Sequence, residues 1–314
     1  MTQPVVTEPS STAAELATKY HGKPLIGAFG FDLEGMDHTV KPGMDFNGYA
    51  GGKWIKTTQI PPDQGHWDAF ESLAVDVAAR SRKIIEEEAL KKSAKGSNGQ
   101  KVGDYYQAYL DTATIDKKGF APAKPILDAI QGAKTTTDIA KLMGRPDLPC
   151  RSPMLAAVLL DPKNPDRHVV TIFQSGLGLP SRDHYLKDDP ELREIRSKYE
   201  AHVARVLVMA GDKKGAANAQ AVVQLEAKMA AAHWPLEERR NQDKTYNPRS
   251  IADLEKEMPK FPWKAYLEAQ GYGQVPTTIV RETSALQKLA EIFATTPVPT
   301  WKAYLTYHFL HASS

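Results

Sequence analysis

Nine histidines, at positions 21, 38, 66, 168, 184, 202, 233, 308 and 311, are the side chains best suited to hold a metal or move a proton near neutral pH. No two are four apart. The HExxH arrangement, two zinc ligands on one helical face with a Glu beside the first as general base, is therefore absent from this sequence. His308 and His311 are three apart and share a face, but no acidic residue stands near them in sequence, so they read as a packed, hydrogen-bonded pair. Cys150 is the only cysteine and lies in the loop-like stretch RPDLPCRSP. It permits neither an intrachain disulfide nor a cysteine-rich zinc site, and a buried thiol is its expected state. The stretch SGLGLPSRDHYL carries Gly176 and Gly178, but Ser181 stands where a dinucleotide fingerprint needs its third glycine, and Pro180 intervenes. No GxxxxGK[ST] and no GxSxG occurs. Runs such as Glu86, Glu87 and Glu88 are explained by a solvated helix face.

Composition narrows the classes further. The 314 residues are 41% hydrophobic and 25% charged, values of an ordinary globular protein with a sizeable core. Forty basic and 38 acidic residues are mixed along the chain, giving a net charge of +2 and none of the basic stripe that a phosphate backbone requires. Nucleic acid is thus not an expected partner. No run reaches the roughly 18 apolar residues that cross a bilayer. The opening MTQPVVTEPSSTAAELATKYHGKP lacks the basic and apolar regions of a signal peptide and reads as a flexible leader over residues 1–30, or as the stub left by a removed signal.

The elements that must position any site are mainly helical, with one small β-hairpin. Glycines 43, 48, 51 and 52 and prolines 42, 61 and 62 make residues 36–63 too broken for a long helix, so this stretch reads as a strap anchored by Phe46, Tyr49 and Trp54. Phe70, Leu73, Val77, Ile84 and Ile85 form the stripe of a long first helix that ends at the polar KSAKGSNGQ. Val102, Tyr105, Tyr106, Tyr109 and Leu110 repeat the helical spacing, with core packing as their expected role. Short helices follow at about 123–132 and 136–143. MLAAVLL and HVVTIFQ flank DPKNPDR as a hairpin. A helix opens at Pro190 and stops at Gly211, another spans AANAQAVVQLEAKMAAAHW, and Ser250 with Asp253 makes a capping box. WKAYL occurs twice, at Trp263 and Trp301, as one amphipathic helix opening used twice. The second copy begins a face of Trp301, Tyr304, Leu305, His308 and Phe309 that needs a partner, expected in a further part of the protein.

Taken in order, VKPGMDFNGYAGGKWIKTTQIPPD, KVGDYYQAYLD, QSGLGLPSRDHYL, QLEAKMAAAHWPLEERRN, YNPRSIADLEKEMPKFPWKAYL and PTWKAYLTYHFLHAS resemble the N-terminal half of the neprilysin family of zinc metallopeptidases. The resemblance runs from about Asp32 onward. It implies a gluzincin-type peptidase of two helical lobes around a cavity in which peptides are hydrolysed. By this resemblance residues 31–85 pack on the zinc lobe as strap and first helix, residues 86–300 form the capping lobe, and residues 301–314 begin a connecting helix towards the catalytic half. Zinc, its ligands and the catalytic Glu would belong to that C-terminal half, which is the implied partner, so no catalytic and no metal residue is assigned here. The chain would be one part of a split, nicked or truncated enzyme, inactive by itself.

On the substrate side, aligning PPDQGHWDAF places His66 where the family has Arg, and Phe70 at the family's Phe. Motif positions read as structural are Pro42, Asp45, Phe46, Gly52, Trp54, Gly176, Gly178, Pro180, Arg182, Asp183, Tyr185, Glu226, Trp234 and Arg239. Gly51 replaces the strap's usual Asn, removing a side-chain hydrogen bond. The single cysteine fits a bacterial form, exported to the periplasm or beyond, with a cytoplasmic location as the alternative. The competing reading of function is a stand-alone helical module that binds peptides or proteins without catalysis, and a fragment without separate function is the third.

Overall fold

The computed structural model describes residues 30–313, and the expected leader over 1–30 lies almost wholly outside the described residues. The chain divides into two compact units between Lys117 and Lys118, beyond the expected change at residues 85–86, which falls inside a helix.

In the first unit, α1 (Phe46–Thr57) forms where only a strap was expected. The glycines of this stretch do not stop it. Asp45 caps its start by accepting from the Gly48 N–H at 2.8 Å, and the preceding loop is tied to it by Lys53 N–H to the Gly35 carbonyl and by Lys56 to Asp37 at 2.7 Å. The Lys56 ammonium, with Thr39, holds the Asp37 carboxyl at about 2. Asp68 then caps α2 (Ala69–Leu90), which pairs with α3 (Asn98–Leu110) before the short α4 (Thr112–Lys118). The core role expected for the α3 tyrosines is not found: Tyr105 is 79% exposed, Tyr109 is exposed, and Gly103 is the one buried residue of that helix. A pair of helices covers only one stripe on each. The faces of Phe70, Leu73, Val77 and Ile84 are likewise exposed.

The second unit holds the continuous core. Its helices are α5 (Lys124–Gly132), α6 (Thr136–Gly144), α7 (Asp183–Leu186), α8 (Pro190–Met209), α9 (Gly215–Ala232), α10 (Leu236–Arg239), α11 (Gln242–Thr245), α12 (Ile251–Glu257), α13 (Trp263–Ala269), α14 (Thr283–Thr295) and α15 (Val298–Ser313). The expected hairpin is β1 (Met154–Asp161) with β2 (Asn164–Gln174), paired from Met154 opposite Gln174. It belongs to a four-stranded sheet of order β1-β2-β4-β3, because β4 (Thr278–Val280) adds parallel to β2 and β3 (Asn247–Arg249) antiparallel to β4. Three-residue strands are too short to show a period of two, so these two were invisible in the sequence.

The unpartnered face expected on the last helix is also corrected. Trp301, Tyr304, Leu305, His308 and Phe309 are all buried, and so are Ala303, Thr306, Tyr307 and Leu310. Helix α15 runs through the middle of the unit against α5, α6, α8 and α9, so the chain's own helices cover that face.

The two WKAYL copies do the same work. Trp263 donates from its indole N–H to the Met258 carbonyl at 3.1 Å, and Trp301 to the Phe293 carbonyl at 3.2 Å. Tyr266 donates to the Met154 carbonyl at 2.9 Å and Tyr304 to the Gly176 carbonyl at 2.8 Å. Both tyrosines therefore pin the open end of the β1–β2 hairpin, one on each strand's side.

Candidate binding cleft

Past that open end, β2 gives way to the segment Ser175–Arg182, which leads into α7. Helix α9 ends at Ala232, and His233–Pro235 leads into α10. These two segments, with Arg151, form the walls of a cleft of about 710 Å³. The walls are stitched together. The Gln174 amide donates to the Trp234 carbonyl at 3.1 Å and accepts from the Trp234 N–H at 2.8 Å. Arg182 Nε donates to the Ala230 carbonyl at 3.3 Å, and His233 Nε2 donates to the Ser175 carbonyl at 3.1 Å. Burial, helped by the charges of Arg239 and Arg182, pushes the His233 imidazole down to about 4, so it is neutral at physiological pH.

Two buried carboxylates anchor the walls from behind. Glu226, on the apolar face of α9, is fully buried and accepts from Tyr185 Oη at 2.7 Å, Tyr199 Oη at 2.9 Å and His308 Nε2 at 2.7 Å. Tyr185 in turn accepts the Leu179 N–H at 2.8 Å, which fixes the glycine-containing loop to the cluster. Burial first, and the Glu226 charge second, raise both tyrosine hydroxyls far above their ordinary range, while burial lowers His308. Glu282 accepts from the Gln174 N–H at 3.0 Å and from Arg239 Nε at 2.9 Å. A Cβ at Gly178 would overlap the Tyr199 hydroxyl, and Gly176 sits at φ +98, so both glycines of this loop are required by its path.

Of the motif positions, Gly176, Gly178, Pro180, Arg182, Asp183, Trp234 and Arg239 line the cleft, with Tyr185 and Glu226 behind it. Pro42, Asp45, Phe46, Gly52 and Trp54 lie in the first unit, as do His66, paired with Glu71 at 3.2 Å, and Phe70, 82% exposed. Sequence reasoning missed Gln174, Tyr199, His233 and Glu282, and named Glu226 as a motif position without its partners. A signal for the buried role of Glu226 existed: Val222, Val223, Glu226, Met229 and Ala230 form a single helical stripe in which only Glu226 is charged, and such a residue needs buried donors.

Ser181 Oγ and His184 Nδ1 are 2.9 Å apart but exposed, and among the described residues no carboxylate hydrogen-bonds the imidazole. Burial pushes the Cys150 thiol up to about 12, far from a reactive thiolate. The zinc implied by the family resemblance does not fit here: among the described residues no three His, Cys, Asp or Glu side chains converge, and both Glu226 oxygens already accept from tyrosines.

Comparison with known proteins matches residues 42–314 to the model described as peptidase family M13. Neprilysin-3 of Drosophila melanogaster is 31% identical over 75% of this chain and 31% of its own length. Endothelin-converting enzyme 1 of Homo sapiens is 26% identical over 90% of this chain and 38% of its own. Among solved structures, the zinc metalloprotease Zmp1 of Mycobacterium tuberculosis in complex with an inhibitor superposes with a TM-score of 0.76 at 29% identity, covering 90% of this chain and 44% of Zmp1. The chain thus spans less than half the length of each of these relatives.

Proposed function

This chain belongs to peptidase family M13, and we propose that it forms the non-zinc-holding part of a zinc metalloendopeptidase that cleaves peptides inside an enclosed cavity. The observation that carries this reading is the family match over residues 42–314, supported by the convergence of SGLGLPSRD and HWPLEER, 58 residues apart at Ser175 and His233, on one cleft with Glu226 behind its wall. The zinc ligands and the general base come from residues outside this sequence. Residues 31–85 lie against the zinc-holding lobe, which is supported by the exposed apolar face of α2 that carries Phe70, Leu73, Val77 and Ile84, and residues 86–300 enclose the cavity. His66 and Phe70 face the substrate, and the enzyme works outside the cytoplasm.

The test is hydrolysis of a fluorogenic peptide by this chain alone and by the chain produced together with the zinc-carrying segment of its own gene. Cleavage that needs both and stops on chelation is expected, and equal cleavage with and without that segment would overturn the reading. A second reading, a binding module that works without catalysis, is favoured by one observation: the unit Lys118–Ser314 covers its own central helix α15.

A further inference from the structure

More guanidinium groups than carboxylates line the cleft. Three guanidinium groups line it, those of Arg151, Arg182 and Arg239. The charge of Arg239 is met by the buried Glu282 behind the wall. Arg182 spends its Nε on the Ala230 carbonyl, which fixes the plane of the group, while its terminal nitrogens make no bond to any described residue. Arg151 makes no hydrogen bond or ion pair with any described residue, although its charge is felt by Tyr304, Tyr307 and His308 around Glu226. Of the two acids on the rim, Asp183 is held by Lys187 at 2.8 Å, and Glu237 is exposed, as Arg151 is. His233 adds no charge near neutral pH.

We infer that this cleft is a subsite for the carboxylate of an Asp or Glu side chain in a bound peptide, received between Arg151 and Arg182. This rests on the peptide-cleaving reading proposed above. A carboxylate presents two oxygens in a plane, the shape that a guanidinium already fixed through its Nε receives with little loss of freedom. Around that charged point Leu177, Leu179, Pro180 and Trp234 add apolar surface to a mixed lining, and so offer contact to the residues flanking the acid in a peptide. A free inorganic anion has no use for those walls.

The test measures binding of a fluorescent peptide carrying two central Glu residues, and of its Gln counterpart, to the purified chain at low salt. The acidic peptide is expected to bind about tenfold more tightly, with the gap closing as salt is raised. Arg151→Gln and Arg182→Gln are each expected to shrink the gap several-fold. Equal affinity for the two peptides, or a gap unchanged in both variants, overturns the subsite. Inorganic phosphate displacing the acidic peptide as strongly as unlabelled peptide does would equally overturn it, by assigning the cleft to a free anion. Failure of the peptidase reading is seen separately, as absent chelator-sensitive hydrolysis of a neutral peptide by the assembled enzyme.

Discussion

His308 Nε2 and Glu226 Oε1 lie 2.7 Å apart, with side chains 1% and 0% exposed, although 82 residues separate them. This contact joins the central helix α15 to α9, and the tyrosines that share Glu226 carry the connection to the cleft wall. The cleft is therefore shaped from inside the core.

Removing that acceptor is expected to be severe. Glu226→Ala strands the hydroxyls of Tyr185 and Tyr199 and the imidazole N–H of His308, and should cost about 3–5 kcal/mol. Urea denaturation of wild type and variant measures it. A loss below about 1 kcal/mol, within the range of ordinary surface changes, would mean that water replaces Glu226 readily.

His233 makes the second unit acid-sensitive. Its folded value of about 4 lies below the ordinary 6.5, so between these values the unfolded chain binds more protons, and stability falls as pH drops from 6.5 through 4. The full effect is on the order of 3 kcal/mol. In His233→Gln, which offers an amide donor to the Ser175 carbonyl without titrating, the slope of melting temperature against pH in this window should flatten. An unchanged slope would assign the acid sensitivity to other groups.

At Gly178 a methyl group meets the Tyr199 hydroxyl. Gly178→Ala should push Tyr199 from Glu226 and cost about 1–3 kcal/mol, the usual effect of overpacking. The same variant should weaken peptide binding at the cleft, because the loop it displaces is the cleft wall. Calorimetric melting together with peptide titration checks both effects, and a neutral outcome in both would contradict the fixed position of the loop.

Tyr266 and Tyr304 give a paired test of the repeated WKAYL. Tyr→Phe at either position leaves a buried carbonyl, of Met154 or of Gly176, without its donor, and each should cost about 1–3 kcal/mol. Only Tyr304→Phe should alter binding at the cleft, since Gly176 lines it and Met154 does not. Equal effects of the two on binding would remove the distinction drawn between the copies.

Much of this was legible in the sequence. The hairpin, the Pro190 and Ser250 helix starts and the helices at 124–132 and 136–144 follow from period and capping chemistry, which act over a few residues. The failures are of another kind. Asp45 and the loop contacts to Gly35 and Asp37 build α1 despite its glycines, and none of these can be read from propensity. The face of α15 looked unpartnered because its partners on α5, α6, α8 and α9 are distant in sequence. In the cleft, the motif residues Arg182, Trp234 and Arg239 could be named, but not Glu282 or the contact of His308 with Glu226, which matter only through contacts that folding creates.

The central claim, that this chain encloses substrate for a zinc centre supplied from outside its sequence, is tested most directly by native mass spectrometry with metal counting on the protein purified gently from its own cells. The account predicts these residues in a species, continuous or assembled, that carries one zinc ion on a segment beyond them. A zinc-free species made of these residues alone, or zinc bound within them, would contradict it.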